Sequence, residues 1–151
     1  MKTIKHFYLA MILVLFTIQV NHAQNVGDTA PDFSFNDLDG NTFTLSEQEG
    51  KVVFIFLFGN SCPSCLSVGN KTETEIYQVF NENPDFVAVG LDVWDGSSNT
   101  VSVSSFKEQT GITFPLLIKA GSVLSEYGST YDRLLVVDKE GILSHKGTTY
   151  V

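Results

Sequence analysis

Cys62 and Cys65 are the residues of this 151-residue chain whose type and spacing could do chemistry. They are its only two cysteines, and they follow directly on an apolar run from Val52 to Phe58. Two thiols at this spacing could form a redox pair, supply part of a metal site or form a structural disulfide. A bridge across so short a span constrains the unfolded chain very little. Stability alone is therefore a poor reason for the pair, and we expect it to do thiol chemistry.

The elements on either side of the cysteines favour a reactive thiolate. The apolar run predicts a strand buried on both faces, in the middle of a sheet covered by helices. The stretch from Pro63 to about Asn81 predicts a helix, and proline suits its first position. Cys62 would then lie beside unpaired backbone N–H groups and the positive end of the helix dipole. Its thiolate could attack a partner disulfide, and Cys65, about one turn further on, could resolve the mixed disulfide.

The rest of the chain alternates between strand and helix patterns. The segment "FSFNDLDGNTFTL" predicts a hairpin, and "DFVAVGLDV", "FPLLIK", "DRLLVVD" and "ILSHKG" predict four further strands. "VSVSSFKEQTG" predicts a helix that is capped by Ser98 or Asn99 and ends at Gly111. In the helix after the cysteines, we expect Glu73 and Glu75 to face outward. We expect its inward positions to be Leu66, Ile76, Val79 and Phe80. The order of elements predicts one α/β domain with a mostly parallel centre and an antiparallel hairpin at its end.

Residues 1–23 have the pattern of a signal peptide. A basic start, "MKTIKH", precedes the apolar run "FYLAMILVLFTIQV", which is shorter than the ~20 residues of a spanning helix. We expect cleavage near Ala23, with residues 24–151 forming one domain in the periplasm or outside the cell. Membrane contact is then expected only through an uncleaved signal segment. The net charge of −8 argues against nucleic acid and anionic membranes as partners.

Four segments carry a resemblance to a known family. They are "VGDTAPDFSFNDLDGNTFTLSEQEGKVVFIFLFGNSCPSC", "GITFPLLI", "EYG" and "LLVVDKEGIL". With them the chain resembles the secreted redoxin, or TlpA-like, branch of the thioredoxin-like superfamily, which is related to the AhpC/TSA proteins. The resemblance implies a thioredoxin-like sandwich, with a mixed central sheet, helices on both faces and an N-terminal hairpin extension. Such domains normally add a helix after the last hairpin, so we expect this C-terminal helix to be missing after "GTTYV".

The resemblance also implies an activity and its partners. It implies thiol-disulfide exchange, with Cys62 as the attacking thiol and Cys65 as the resolving thiol. The partners would be protein clients with disulfides or dithiols, together with a thiol protein that donates electrons. No cofactor is expected.

Three positions depart from the family pattern. Ser61 replaces the tryptophan that usually precedes the first cysteine, and Phe56 replaces a buried acidic residue. Asp132 or Arg133 stands where relatives carry a cis-proline facing the disulfide. If Arg133 faces the sulfurs, it would stabilise the attacking thiolate and favour the reduced form. The alternative is a surface arginine paired with Asp132 or Glu140. Asp132 beside the sulfurs would instead raise the thiol pKa.

Two other functions compete with thiol-disulfide exchange. A peroxiredoxin-like thiol peroxidase would need a proline and a hydroxyl residue at positions that hold Ile55 and Gly59 here. A copper(I)-binding thioredoxin-like module would use the two thiolates with His145 as a distant donor. Such modules usually space their cysteines more widely, so His145 is expected to be a plain strand residue. A structural zinc site needs four ligands, and we expect no metal of this kind.

Trp94 lies where the strand "DFVAVGLDV" ends, at the edge of the sheet where open α/β folds place their sites. It could contact a partner protein there. We expect it to cover the core under its loop instead.

Overall fold

The computed structural model describes residues 24–129 and 133–148. Its strands are β1 (Ser34–Asn36), β2 (Thr42–Thr44), β3 (Val52–Phe58), β4 (Phe86–Asp92), β5 (Leu116–Leu117), β6 (Leu134–Val137) and β7 (Leu143–Gly147). Its helices are α1 (Pro63–Lys71), a π-helix (Thr72–Tyr77), α2 (Gln78–Phe80), α3 (Thr100–Thr110) and α4 (Ser122–Glu126), with a 3₁₀ turn at Ser46–Gln48. The expected signal peptide and Asp132 lie outside the described residues. In the described ranges, no helix has the length and apolar character to cross a membrane.

The central sheet is mixed, as the sequence predicts. Its strand order is β5-β4-β3-β6-β7. β3 pairs in parallel with β4 and antiparallel with β6. β4 also pairs in parallel with β5, and β6 pairs antiparallel with β7. β1 and β2 form a separate hairpin, which confirms the N-terminal extension. Because β3 lies in the middle of the sheet, neither of its faces meets water, and this explains its unbroken apolar sequence.

Alternate side chains of β3 enter two different cores. Ile55 and Leu57 pack on the face that α4 and the hairpin cover. Phe54, Phe56 and Phe58 pack on the opposite face, under α1 and α3. The helices therefore lie on both faces of the sheet, and the fold class is confirmed. The second core also contains the two cysteines, so the site is built on the same packing that stabilises the domain.

The helix after the cysteines differs from its predicted form in its second half. The π-helix follows α1 directly, and each of its hydrogen bonds spans one residue more than in an α-helix. Later side chains are thus rotated away from the face that a 3.6-residue period predicts. The expected inward positions Val79 and Phe80 are 63% and 46% exposed. Glu73, expected outside, is buried and accepts hydrogen bonds from the amide and hydroxyl of Thr113. These three expectations are wrong.

The second long helix follows its sequence signals. Asn99, and not Ser98, is the N-cap of α3, and it forms a reciprocal pair of hydrogen bonds with Ser102. Gly111 ends the helix in the left-handed conformation, with φ of 71°. A glycine adopts this conformation at little cost, so the helix ends where the sequence predicts.

Candidate active site

The two cysteines lie at the carboxyl end of β3, where the chain turns into α1. Cys62 is the N-cap of α1, and its Sγ accepts a hydrogen bond from the Cys65 amide at 3.3 Å. Pro63 occupies the first turn of the helix, where no intrahelical partner for its nitrogen is needed. Both cysteines are free thiols, and they are only 6% and 2% exposed. The strand, turn and helix therefore place both sulfurs as the sequence predicts.

Arg133 brings a positive charge to both sulfurs. Its Nη1 lies 3.1 Å from Cys62 Sγ and 2.6 Å from Cys65 Sγ. The same nitrogen donates to Ser64 Oγ at 3.1 Å, and this hydroxyl lies 3.2 Å from Cys62 Sγ. Arg133 thus faces the sulfurs and is not the surface arginine of the alternative interpretation. Its place as a catalytic residue remains a prediction.

The backbone of Arg133 is held on both sides by the sheet. Its N–H donates to the Gly147 carbonyl at 2.8 Å, and its carbonyl accepts from the Leu57 amide at 2.8 Å. The residue therefore continues the pairing of β6 with β3 and β7 by one position. Because the backbone is fixed, the guanidinium reaches the sulfurs from a defined point.

This arrangement separates the acidities of the two thiols. Burial alone would raise the pKa of Cys62, but hydrogen bonds with the side chains of Cys65, Ser64 and Arg133 outweigh burial and lower it from 9.0 to about 7. Burial and the hydrogen bond with Cys62 raise the pKa of Cys65. Cys62 therefore ionises first, and Cys65 keeps its proton. One nucleophilic thiolate beside one protonated thiol is the state that starts thiol-disulfide exchange.

A buried carboxylate that the sequence analysis missed supports the loop that carries the cysteines. Asp92, at the end of β4, is fully buried. It accepts hydrogen bonds from the Asn60 amide and side chain, at 3.2 and 2.8 Å, and from the Trp94 amide at 3.3 Å. Asn60 also donates to Ser97 Oγ at 3.0 Å. Asp92 thereby ties the loop after β3 to the loop after β4. An acidic residue at the end of an otherwise apolar strand was the sequence signal that could have revealed it.

Trp94 lies in the site and not on the core under its loop. Its indole packs on Gly59, so closely that a β-carbon on this glycine would lie 2.3 Å from Cε2 of the ring. It is nevertheless 45% exposed. Together with both cysteines and Arg133, it lines a small cavity of about 90 Å³. The expectation that Trp94 covers the core is therefore wrong.

His145 is not part of this cavity. It lies on β7 and lines a groove of about 600 Å³ on the face of the sheet beside the π-helix, with Phe54, Phe80 and Phe86. In the part of the chain that the structure describes, no three His, Cys, Asp or Glu side chains converge on one point. The histidine donor of the copper alternative is therefore not brought to the sulfurs.

The fold and the dithiol define a thioredoxin-like redox protein, and comparison with known proteins agrees. The model of the AhpC/TSA family matches residues 26–146. A thiol-disulfide oxidoreductase ResA of Geobacillus kaustophilus (strain HTA426) is 32% identical over an alignment of 145 residues, and the match covers 87% of this chain and 80% of that protein. The ResA of Geobacillus thermodenitrificans (strain NG80-2) is 31% identical over 119 residues, and the match covers 77% of this chain and 65% of that protein.

A solved structure gives the same result for the fold. The solution structure of a putative protein disulfide isomerase from Bacteroides thetaiotaomicron matches with a TM-score of 0.72 and 28% identity. This match covers 82% of this chain and 78% of that one. The chain belongs to the AhpC/TSA family, among its thiol-disulfide oxidoreductases of thioredoxin fold.

Proposed function

We propose that this chain exchanges disulfides with exported protein clients, with Cys62 as the attacking thiol and Cys65 as the resolving thiol. The observation that carries the proposal is the unequal environment of the two sulfurs. Cys62 is the helix N-cap and has its pKa lowered to about 7, whereas the pKa of Cys65 is raised. Near neutral pH, Cys62 is thus the better nucleophile of the pair.

The reaction begins with the Cys62 thiolate attacking one sulfur of a client disulfide. The client's S–S bond breaks as the bond to Cys62 Sγ forms, and the departing client sulfur leaves as a thiolate that takes a proton from solvent. Cys65 then loses its proton to solvent and attacks Cys62 Sγ, which releases the second client sulfur as a thiolate that takes up a proton in turn. Two electrons have passed to the client, and the chain holds a Cys62–Cys65 disulfide. A thiol protein that donates electrons would reduce this disulfide and complete the cycle.

Arg133 and Pro63 assist this sequence in different ways. The guanidinium touches both sulfurs, so it stabilises the Cys62 thiolate before the attack. Its charge also lowers the pKa of Cys65, which must ionise in the resolving step. Pro63 starts α1 directly after Cys62 and thereby holds the helix amides toward its sulfur. Residues 1–23 have the pattern of a signal peptide, and this supports a location in the periplasm or outside the cell.

A redox titration tests the proposal. The purified protein and its Cys62→Ser and Cys65→Ser variants are equilibrated across a series of glutathione ratios, and free thiols are trapped with an alkylating reagent that shifts the mass. We expect a reversible two-electron transition in the parent protein. We also expect Cys65→Ser, but not Cys62→Ser, to accumulate a mixed disulfide with a client peptide.

Two results would contradict the proposal. If no reversible transition occurs and the thiols are protected only when copper(I) is added, the chain is a metal-binding module. If the protein consumes hydrogen peroxide faster than it reduces peptide disulfides, it is a peroxidase. The peroxidase pattern needs a proline and a hydroxyl residue at positions 55 and 59, but Ile55 is buried in β3 and Gly59 lies under the indole of Trp94.

A further inference from the structure

We propose that Trp94 selects the clients of this site, by offering its exposed indole face to a large apolar or aromatic side chain next to the client's cysteine. The inference rests on the proposed exchange reaction at Cys62, and it adds the chemical class of the preferred substrate. Small disulfides without such a side chain would be turned over less efficiently.

The position of the indole is the first argument. Five large apolar side chains are more than a third exposed in the described residues: Val26, Val79, Phe80, Trp94 and Val101. Of these, Trp94 lines the cavity that both cysteines and Arg133 share. A cavity of about 90 Å³ is too small to enclose a client side chain. The client must therefore lie over the opening, where it meets the indole beside the sulfurs.

The rigidity of the indole is the second argument. The Trp94 amide donates to Asp92 Oδ1 at 3.3 Å, and the Trp94 carbonyl accepts from the amides of Ser97 and Ser98 at 2.9 and 3.0 Å. Gly59 supports the ring from below, and no other residue fits there without displacing it. Because the ring is held before a client arrives, little conformational entropy is lost on binding.

The charges around the cavity are the third argument. The cation at the site, Arg133, already donates to both sulfurs and to Ser64. Among the apolar residues that line the cavity, Trp94 is the exposed one, so its indole is the main apolar surface for a residue that flanks the client's cysteine. An aromatic contact of this kind changes binding by about two- to tenfold. The preference should appear mainly in KM, since the indole touches the client and not the reacting sulfurs.

Two matched peptide disulfides test the inference, one with phenylalanine and one with serine next to the cysteine. We expect the parent protein to prefer the phenylalanine peptide by about two- to tenfold in kcat/KM. Trp94→Ala should bring the ratio of the kcat/KM values for the two peptides close to one. Trp94→Phe should restore most of the preference for the phenylalanine peptide. Phe80→Ala is the matched control, because Phe80 is equally exposed but lines the other groove, and it should keep the parent ratio.

The outcomes separate this inference from the function on which it rests. If the parent protein turns over both peptides equally, or if Trp94→Ala keeps the preference, the inference is overturned and the exchange function stands. If the parent protein turns over neither peptide, the exchange function is overturned and the inference falls with it.

A second measurement does not depend on how well a Trp94 variant folds. Trp94 is the only tryptophan of the chain, so fluorescence excited at wavelengths that tyrosine does not absorb reports on it alone. In the Cys65→Ser variant, the mixed disulfide with the phenylalanine peptide should shift the emission to shorter wavelength, because the client side chain removes water from the indole. The serine peptide should shift it less. Identical spectra for the two trapped peptides would overturn the inference.

Discussion

Replacing Arg133 with glutamine tests the electrostatics of the site directly. The substitution removes the positive charge and leaves the two backbone hydrogen bonds of residue 133 in place. Nη1 donates to Cys62 Sγ at 3.1 Å in the parent protein, so the thiolate loses a charge-assisted hydrogen bond. We expect the pKa of Cys62 to rise.

The size of the rise follows from the geometry. A hydrogen bond to a charged group contributes about 1.5–3 kcal/mol, and the half-buried guanidinium of Arg133 places it at the lower end, since solvent screens the charge. A loss of ~1.4 kcal/mol corresponds to about one pKa unit. The pKa of Cys62 should thus rise from about 7 to a value ~1 unit higher. At neutral pH the thiolate fraction would then fall from about a half to about a tenth, which slows its reactions about fivefold.

Alkylation of the reduced protein at a series of pH values measures this change. Iodoacetamide reacts with thiolates, and mass spectrometry of the digested protein shows which cysteine carries the adduct. We expect the rate at Cys62 to be half-maximal near pH 7 in the parent protein and about one unit higher in Arg133→Gln. Cys65 should react with measurable rate only at much higher pH, since its pKa is raised.

Lys139→Gln provides the matched control. It also removes one positive charge, but Lys139 pairs with Asp85 at 2.6 Å and does not line the cavity of the cysteines. Its midpoint should equal that of the parent protein. An unchanged midpoint in Arg133→Gln, or a first adduct on Cys65, would refute the reasoning on the two thiols.

Three further substitutions and one control test the supports of the site and of the helix behind it. Gly59→Ala places a methyl group against the indole of Trp94. We therefore expect the free energy of unfolding in urea to fall by about 1–3 kcal/mol and the tryptophan emission to change. An unchanged emission would contradict the contact between Gly59 and the indole. Asp92→Ala removes the acceptor of three hydrogen bonds, two of which are buried, and it should lower the free energy of unfolding by about 1–3 kcal/mol. Glu73→Ala should lower it by a similar amount, about 1–3 kcal/mol, whereas the exposed Glu75→Ala should change it by less than about 0.5 kcal/mol. Equal effects of the two glutamate variants in the same urea titration would argue against the buried position of Glu73.

The helix after the cysteines shows where a periodic pattern stops being informative. The start of the helix is set by neighbouring residues, because Cys62 caps it and Pro63 favours its first turn. The sequence predicts both features. Its second half contains a π-helix, which no simple period of apolar residues indicates. Glu73 could be placed inside only through its hydrogen bonds to Thr113, 40 positions away in the chain. A buried acid of this kind depends on a partner from another element.

The sequence by itself determined the strand and helix order and the position of the dithiol between β3 and α1. These features follow from hydrophobic periodicity and from capping, which are read within a few neighbouring residues. It left open whether Arg133 faces the sulfurs or the surface. Only the tertiary structure decided this, because Arg133 and Cys62 are 71 positions apart and meet through the pairing of β6 with β3. In a strand, a shift of register by one residue turns every side chain to the opposite face. The electrostatics of the site thus depend on a register that forms only when the sheet is assembled.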